Sequence, residues 1–310
     1  MASVTTLVHA ATPRLPWKQV MALKGASFTV PFFLGFALFT LAPIVLALRE
    51  SLYSKESSGL GLGAPTTKFS GVANFTRGFQ DTAFWAAMLR VALFAAVAIP
   101  TIMLLSLAMA LLLDTLSSRL AGRFRVPLLI PYMIPGIVAV LIWIYLYSPV
   151  VGPLTPFFHL FGINADFYSG SMIWISIGNL LAWSGIGFNM LIVYSALQAV
   201  PREIFDSARV DGASEWRIAR SIKIPLVRRS LVLITVLSII GTLQIFSDPM
   251  LFRTMTPETV TRGFTPIMAI YDWAFQQGEF NYAAALSIIL AAVVGTVSAV
   301  FYKVSNRAPV

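Results

Sequence analysis

Long charge-free apolar runs, separated by shorter polar stretches, dominate the pattern of this chain. Gly25–Leu48 carries no charged residue, and neither does Val91–Leu113. A third run starts at Val126 and ends near Tyr147. A fourth lies within Tyr168–Val200, centred on Ile173–Tyr194. Ser230–Ser247 is a short fifth run of 18 residues between Arg229 and Asp248, and Phe280–Tyr302 is the last. A helix needs about 20 apolar residues to cross the hydrocarbon core of a bilayer. The pattern therefore predicts an all-α membrane protein with six spans. The apolar run of the first span is too long for a leader peptide and no small-residue cleavage site follows it, so it is expected to be an anchor.

Composition supports that reading. Of 310 residues, 57% are hydrophobic and 11% charged, against roughly 25% charged in soluble domains. There is no Cys, and His9 and His159 are too far apart to pair as ligands, so no metal site is expected. The net charge of +9 sorts by side. Fifteen of the 22 Lys and Arg residues fall in the N-terminal tail, the second and fourth connections and the C-terminal tail. Basic residues mark the cytoplasmic side. Both termini and the fourth connection are expected inside, and the charge is an orientation signal rather than a mark of nucleic-acid binding. The resulting division is a tail over 1–25, a membrane domain over 26–302 with a cytoplasmic loop at 201–225, and a tail over 303–310.

Local chemistry is densest in that loop. "DSARVDGASEWRIARSIKIP", Asp206–Pro225, holds seven charged residues. Pro201 suits the first turn of a helix, and Glu203 and Asp206 favour its positive end. Asp211-Gly212 supplies a stop, because Gly tolerates a left-handed cap. Ser214 can cap a second helix and Glu215 favours its start. Pro225 ends that helix or bends it into the next span. The pattern predicts two short amphipathic helices meeting at a Gly212 elbow, with Phe205, Ala208 and Trp216 forming one apolar patch. Such a piece can rest on lipid headgroups. Four acids among the bases (Glu203, Asp206, Asp211 and Glu215) point instead to a protein surface that receives it.

These residues resemble the "EAA" loop of bacterial ABC importer permeases, whose pattern is Glu-Ala-Ala, two residues, Asp-Gly-Ala, then Ile-x-Leu-Pro. Here it runs Asp206-Ser207-Ala208, Asp211-Gly212-Ala213 and Ile222-Lys223-Ile224-Pro225. "LLIPYMIPGIVAVLIWIYLYSPVVGPLTPFFHLFGI", "AWSGIGFNMLIVYSALQAVPREIFDSA" and "YDWAFQQGEFNYAAALSIIL" extend the likeness to the sugar-type (MalF-like) subunits. One departure lies after the fifth run, where "FSDPMLFRTMTP" replaces the family's Phe-Asp, Leu-Thr and Gly-Gly-Pro pattern.

The resemblance implies the type I importer permease fold and a definite set of partners. These are a second, homologous permease, two cytoplasmic ATPase subunits that hold ATP and Mg, a substrate-binding protein outside, and membrane lipid. No cofactor is expected on this chain. No Gly-Lys dipeptide exists for a phosphate-binding loop. The centres of the six runs hold no ionisable residue of the kind proton-coupled carriers keep. Neither feature supplies an energy source. The loop then implies coupling: Phe205, Asp206, Ser207, Ala208, Asp211, Gly212, Ala213, Trp216 and Pro225 would engage the ATPase. No catalytic residue is expected.

A substrate path must use uncharged polar and aromatic groups. Trp183, Gly185 and Phe188 match cavity-lining positions of the family's fourth span, and Gln244 and Ser247 those of its fifth; Asn179 and Asn189 add amides. Tyr145 and Tyr147 are expected as interface anchors. The expected solute is a sugar or sugar-like molecule. The alternatives are another polar solute, such as a polyol or glycerol phosphodiester, or an autonomous secondary carrier. "SSGLGLGAPTT" in the first external connection reads as a flexible loop, and the Asn74 sequon as accidental.

Overall fold

The computed structural model describes residues 17–56 and 66–307. His9, Arg14 and most of the Gly/Ser-rich stretch around Ser58 lie outside the described residues. The chain opens with α1 (Trp17–Phe36), a π-helical turn at Ala37–Leu41 and α2 (Ala42–Ser51). Strands β1 (Tyr53–Glu56) and β2 (Thr66–Phe69) pair antiparallel, with Tyr53 opposite Phe69. Then come α3 (Ala73–Gln80), α4 (Thr82–Thr115), α5 (Ser118–Met133), α6 (Gly136–Tyr147), α7 (Leu154–His159) and α8 (Ile173–Gln198). After them α9 (Arg202–Val210), α10 (Glu215–Ile218), a π-turn at Ala219–Lys223 and α11 (Ile224–Leu243) form the loop and the next span. The chain closes with α12 (Ser247–Phe252), α13 (Pro266–Tyr271), a π-turn at Asp272–Gln276 and α14 (Phe280–Arg307).

Among the described residues, five helical segments are long and apolar enough to cross a membrane, and a sixth crossing is formed if the bent pair α5–α6 counts as one. The third run is therefore not the straight span that its composition suggests. α5 and α6 meet at 92°. Pro135 takes φ −53° and ψ 132°, and Ile134 before it takes ψ 129°. A proline denies the preceding residue the helical region by clashing with its backbone, so the turn is written at Ile134-Pro135. The fifth run also differs. α11 begins at Ile224 and stops at Leu243, and the backbone opens over Gln244–Phe246 before α12.

α4 and α8 form the centre. The start of α4 is capped by Asp81, whose carboxylate accepts from the Phe84 N–H at 3.0 Å. Its buried residues Phe84, Met88, Val91, Ala95, Ile99, Met103, Ser106, Ala110 and Leu113 fall at three- and four-residue steps, one stripe of the helix. Leu89, Leu93, Val97 and Leu104 on other faces stay exposed, as suits a lipid-facing surface. α5 crosses α8 at Gly187, where a Cβ would run into the carbonyl of Leu128. Small residues permit such close backbone approach between membrane helices. α2, α3 and α11 pack on α14. By contrast, the apolar window of the first crossing segment, Lys24–Ser51, has none of its residues buried within the chain.

Tyr147 corrects a further expectation. It is a core residue at 3% exposure, not an interface anchor, whereas Tyr145 is 55% exposed. The Tyr147 hydroxyl accepts from the Asn179 amide at 2.8 Å.

Candidate functional site

Two regions carry the chemistry. The first is the charged loop at the end of the bundle where α4 and α8 finish. α9 ends in a Schellman motif: Gly212 N–H bonds to the Arg209 carbonyl at 3.0 Å and Ala213 N–H to the Ala208 carbonyl at 2.9 Å. Gly212 sits at φ +81°, the left-handed region that a Cβ disfavours, with open space around it. Ser214 then caps α10, its hydroxyl accepting from Arg217 N–H at 3.4 Å. Pro225 occupies the first turn of α11. The elbow read from the sequence is thus formed with the expected residues.

Arg209, which sequence reasoning passed over, locks the elbow. Its Nε donates to Glu215 Oε1 and its Nη1 to Asp206 Oδ1, both at 2.7 Å. The hydrogen bond that Arg209 donates to Glu215 does most to hold this guanidinium above its ordinary pKa. The Arg209–Glu215 bond crosses the elbow, Asp206 holds Arg209 from within α9, and Asp211 is exposed at the turn. The Ser207 hydroxyl donates back to the Ile204 carbonyl at 3.1 Å.

The apolar patch is composed differently from the expectation. Phe205 is 5% exposed and faces the bundle, where its ring lies 5.2 Å from Lys223 Nζ. Ala208 and Ala213 are half-buried. Trp216, Val210 and Ile204 point outward, at 72%, 88% and 42% exposure. Phe205 and Trp216 thus serve opposite sides of the helix pair. The apolar periodicity of the loop marks two faces, and composition alone does not say which one meets the bundle.

The second region is a cavity of about 430 Å³ between α4, α8 and α11, at the opened backbone after α11. Of the predicted path residues, Gly185, Asn189, Gln244 and Ser247 line it together. Gly185 and Asn189 are four apart and share a face of α8. Ser238, Thr242 and Asp248 also line it and were missed. Asp248 reads in the sequence as a span boundary, and the two hydroxyls as ordinary helix residues. The Asn189 and Gln244 amides have no hydrogen-bond partner among the described residues.

Three predicted residues lie elsewhere. Trp183 packs edge-on against Trp143, ring centroids 5.7 Å apart. Phe188 stacks on Tyr132 at 4.4 Å. Asn179 faces Tyr147 and the rim of a larger apolar groove between α4 and α8. For Trp183 and Asn179 the reason is helical phase, whereas Phe188 is engaged by Tyr132 of α5. At about 100° per residue, Trp183 points some 200° away from Gly185.

The fold and the loop have counterparts. Residues 102–309 match the family described as "Binding-protein-dependent transport system inner membrane component". The chain is 28% identical over 308 residues to the Lactose transport system permease protein LacF of Rhizobium radiobacter, covering 96% of this chain and 99% of that one. Two solved structures share the fold. A bacterial ABC transporter involved in importing the acidic polysaccharide alginate has a TM-score of 0.80 at 17% identity, covering 95% of this chain and 99% of that chain. A bacterial alginate ABC transporter in complex with an alginate pentasaccharide-bound periplasmic protein gives 0.78 at 18%, covering 94% and 96%. A match over residues 102–309 runs from the second part of α4 through α14 and includes the loop and all of the cavity lining but Ile99. This chain belongs to the binding-protein-dependent transport system inner membrane components: it is a multi-pass inner-membrane permease of an ABC importer.

Proposed function

We propose that this permease works with a second, homologous permease and two ATPase subunits, and that its solute is a neutral sugar or oligosaccharide delivered by a binding protein from outside. The observation that carries the reading is the elbow of α9 and α10, which turns Ile204, Val210 and Trp216 outward on a rigid, Arg209-locked support. An exposed Trp beside an exposed Val suits a partner groove that desolvates them. ATP and Mg act on the partner ATPases. Closure of those subunits would move the helix pair as a rigid body.

The distribution of basic residues supports a cytoplasmic side for this loop and both termini. The solute argument rests on the cavity. Amides, hydroxyls and the Phe246 ring offer hydrogen bonds and an apolar face, as a sugar requires. Among the described residues the lining includes the carboxyl group of Asp248 and no Lys, Arg or His. An acidic solute, such as a glycerol phosphodiester, would face that carboxylate without a counter-charge, so a neutral solute is the better fit.

The test is to purify the tagged permease from its native host and reconstitute it. Co-purification of an ATPase and ATP-dependent uptake that requires a binding protein are expected. Uptake by the lone chain on an ion gradient would contradict the reading. The absence of native Cys also makes single-Cys labelling clean. Ser214→Cys should react from the cytoplasmic side only, and Ser171→Cys from the outside only.

A further inference from the structure

At the loop end, three elements meet in one buried polar contact. Asp114 in the last turn of α4 lies 2.6 Å from Lys223 Nζ, with the side chains 4% and 3% exposed. Gln198, the last residue of α8, donates its amide to the other carboxylate oxygen of Asp114 at 2.8 Å. Lys223 closes the π-turn that joins α10 to α11, and its ammonium also faces the buried ring of Phe205 in α9. One lysine thus reaches α4 through Asp114, α8 through the same carboxylate, and α9 through an aromatic ring.

A buried ion pair is a poor way to gain stability, because apolar residues of equal volume do as well or better. What it supplies is direction: charge-assisted bonds fix one register between the elements they join. The elements joined here are informative. Further along, α4 contributes Ile99 and Ile102 to the cavity wall, and α8 contributes Leu181, Gly185 and Asn189. Both helices gripped at the loop end are therefore walls of the cavity. A wide π-turn beside the contact fits the frequent placement of such turns at functional sites.

We propose that Asp114 and Lys223 are positioning residues that transmit displacement of the α9–α10 pair to α4 and α8, and so link ATPase closure to a change of the cavity. The inference rests on the proposed docking of α9–α10 on an ATPase. If the pair is broken while packing is kept, the loop still docks but its movement no longer reaches the cavity walls.

The experiment uses the complete importer with cysteines introduced at Ile99 and Thr242, which face the cavity from α4 and α11. A bifunctional thiol reagent reports their separation with and without ATP plus vanadate. With the native pair, ATP should change the cross-linking yield at least threefold. The single variants Asp114→Asn and Lys223→Met each leave a buried charge unpaired and can simply misfold. The informative variant is therefore the double replacement Asp114→Leu/Lys223→Met, with the swapped pair Asp114→Lys/Lys223→Asp as its rescue. The double variant should retain the ATPase on purification and lose the ATP response, and the swapped pair should regain it. An unaltered ATP response in the double variant overturns the proposal. So does loss of ATPase binding by that variant, which would assign the pair to docking. If no ATPase accompanies even the unmodified chain, the proposed function itself fails, and that outcome is visible before any variant is compared.

Discussion

The loop end and the cavity treat their polar groups in opposite ways. At the loop end the charges that hold the elbow and its anchor are committed, Asp206 and Glu215 to Arg209, and Asp114 to Lys223 and Gln198, while Asp211 stays exposed at the turn. In the cavity the Asn189 and Gln244 amides have no partner among the described residues. Paired groups hold geometry, because their bonds are satisfied inside the chain. Unpaired groups facing a cavity are available to a solute. Substitutions at the two regions should separate accordingly. The first should disturb stability and coupling, and the second transport affinity alone.

The largest effect is expected from breaking the buried pair on one side. Lys223→Met strands the Asp114 carboxylate, and loss of one partner of a buried pair costs about 3–5 kcal/mol. Thermal unfolding in detergent should show a lower Tm for this variant than for Asp114→Leu/Lys223→Met. Equal Tm values would mean that the pair is not buried as described. Next comes the elbow. At φ +81° a β-branched residue is strained by roughly 1–3 kcal/mol. Gly212→Val should still insert in the membrane, and its ATPase recovery on purification should fall.

Smaller effects belong to the cavity. Asn189→Ala or Gln244→Ala should leave Tm unchanged, since neither amide bonds within the chain. Each should raise the half-saturating solute concentration by roughly twofold to tenfold, the worth of a neutral hydrogen bond of about 0.5–1.5 kcal/mol. A drop in Tm with unchanged uptake would reverse the comparison. The smallest effect is expected at Trp183. Trp183→Phe keeps a ring against Trp143 and should leave the half-saturating concentration as it was. A shift there would return Trp183 to the solute path.

Much of this was legible in the sequence where the signal is local. Charge-free runs locate the crossing segments, since hydrocarbon tolerates little else. Pro201, Asp211-Gly212 and Ser214 spell the elbow through backbone preferences that act over a few residues. What was hidden depends on neighbours. Ile134-Pro135 sits inside an apolar run, so the bend is invisible to hydropathy, although the proline is its cause. Phe205 and Trp216 are both apolar residues of one amphipathic piece, and only packing decides which turns inward. Asp114 and Lys223 lie far apart in the chain, each at the margin of an apolar run, and nothing local announces that they meet. The cavity was half legible. Gly185 and Asn189 share a helical face, whereas Trp183 lies at another helical phase, packed on Trp143, and Phe188 is stacked on Tyr132.

The central claim is that the α9–α10 elbow carries the force of ATP hydrolysis into the membrane domain. It is tested most directly by the solute moved per ATP hydrolysed in proteoliposomes of the complete importer, wild type against Gly212→Val. The account predicts that this ratio falls severalfold for those variant complexes that still retain their ATPase, because a tilted elbow no longer holds the exposed Ile204, Val210 and Trp216 in their native arrangement. A ratio equal to wild type, with ATPase recovery also equal, would show that the loop is not a rigid coupling element and would contradict the account.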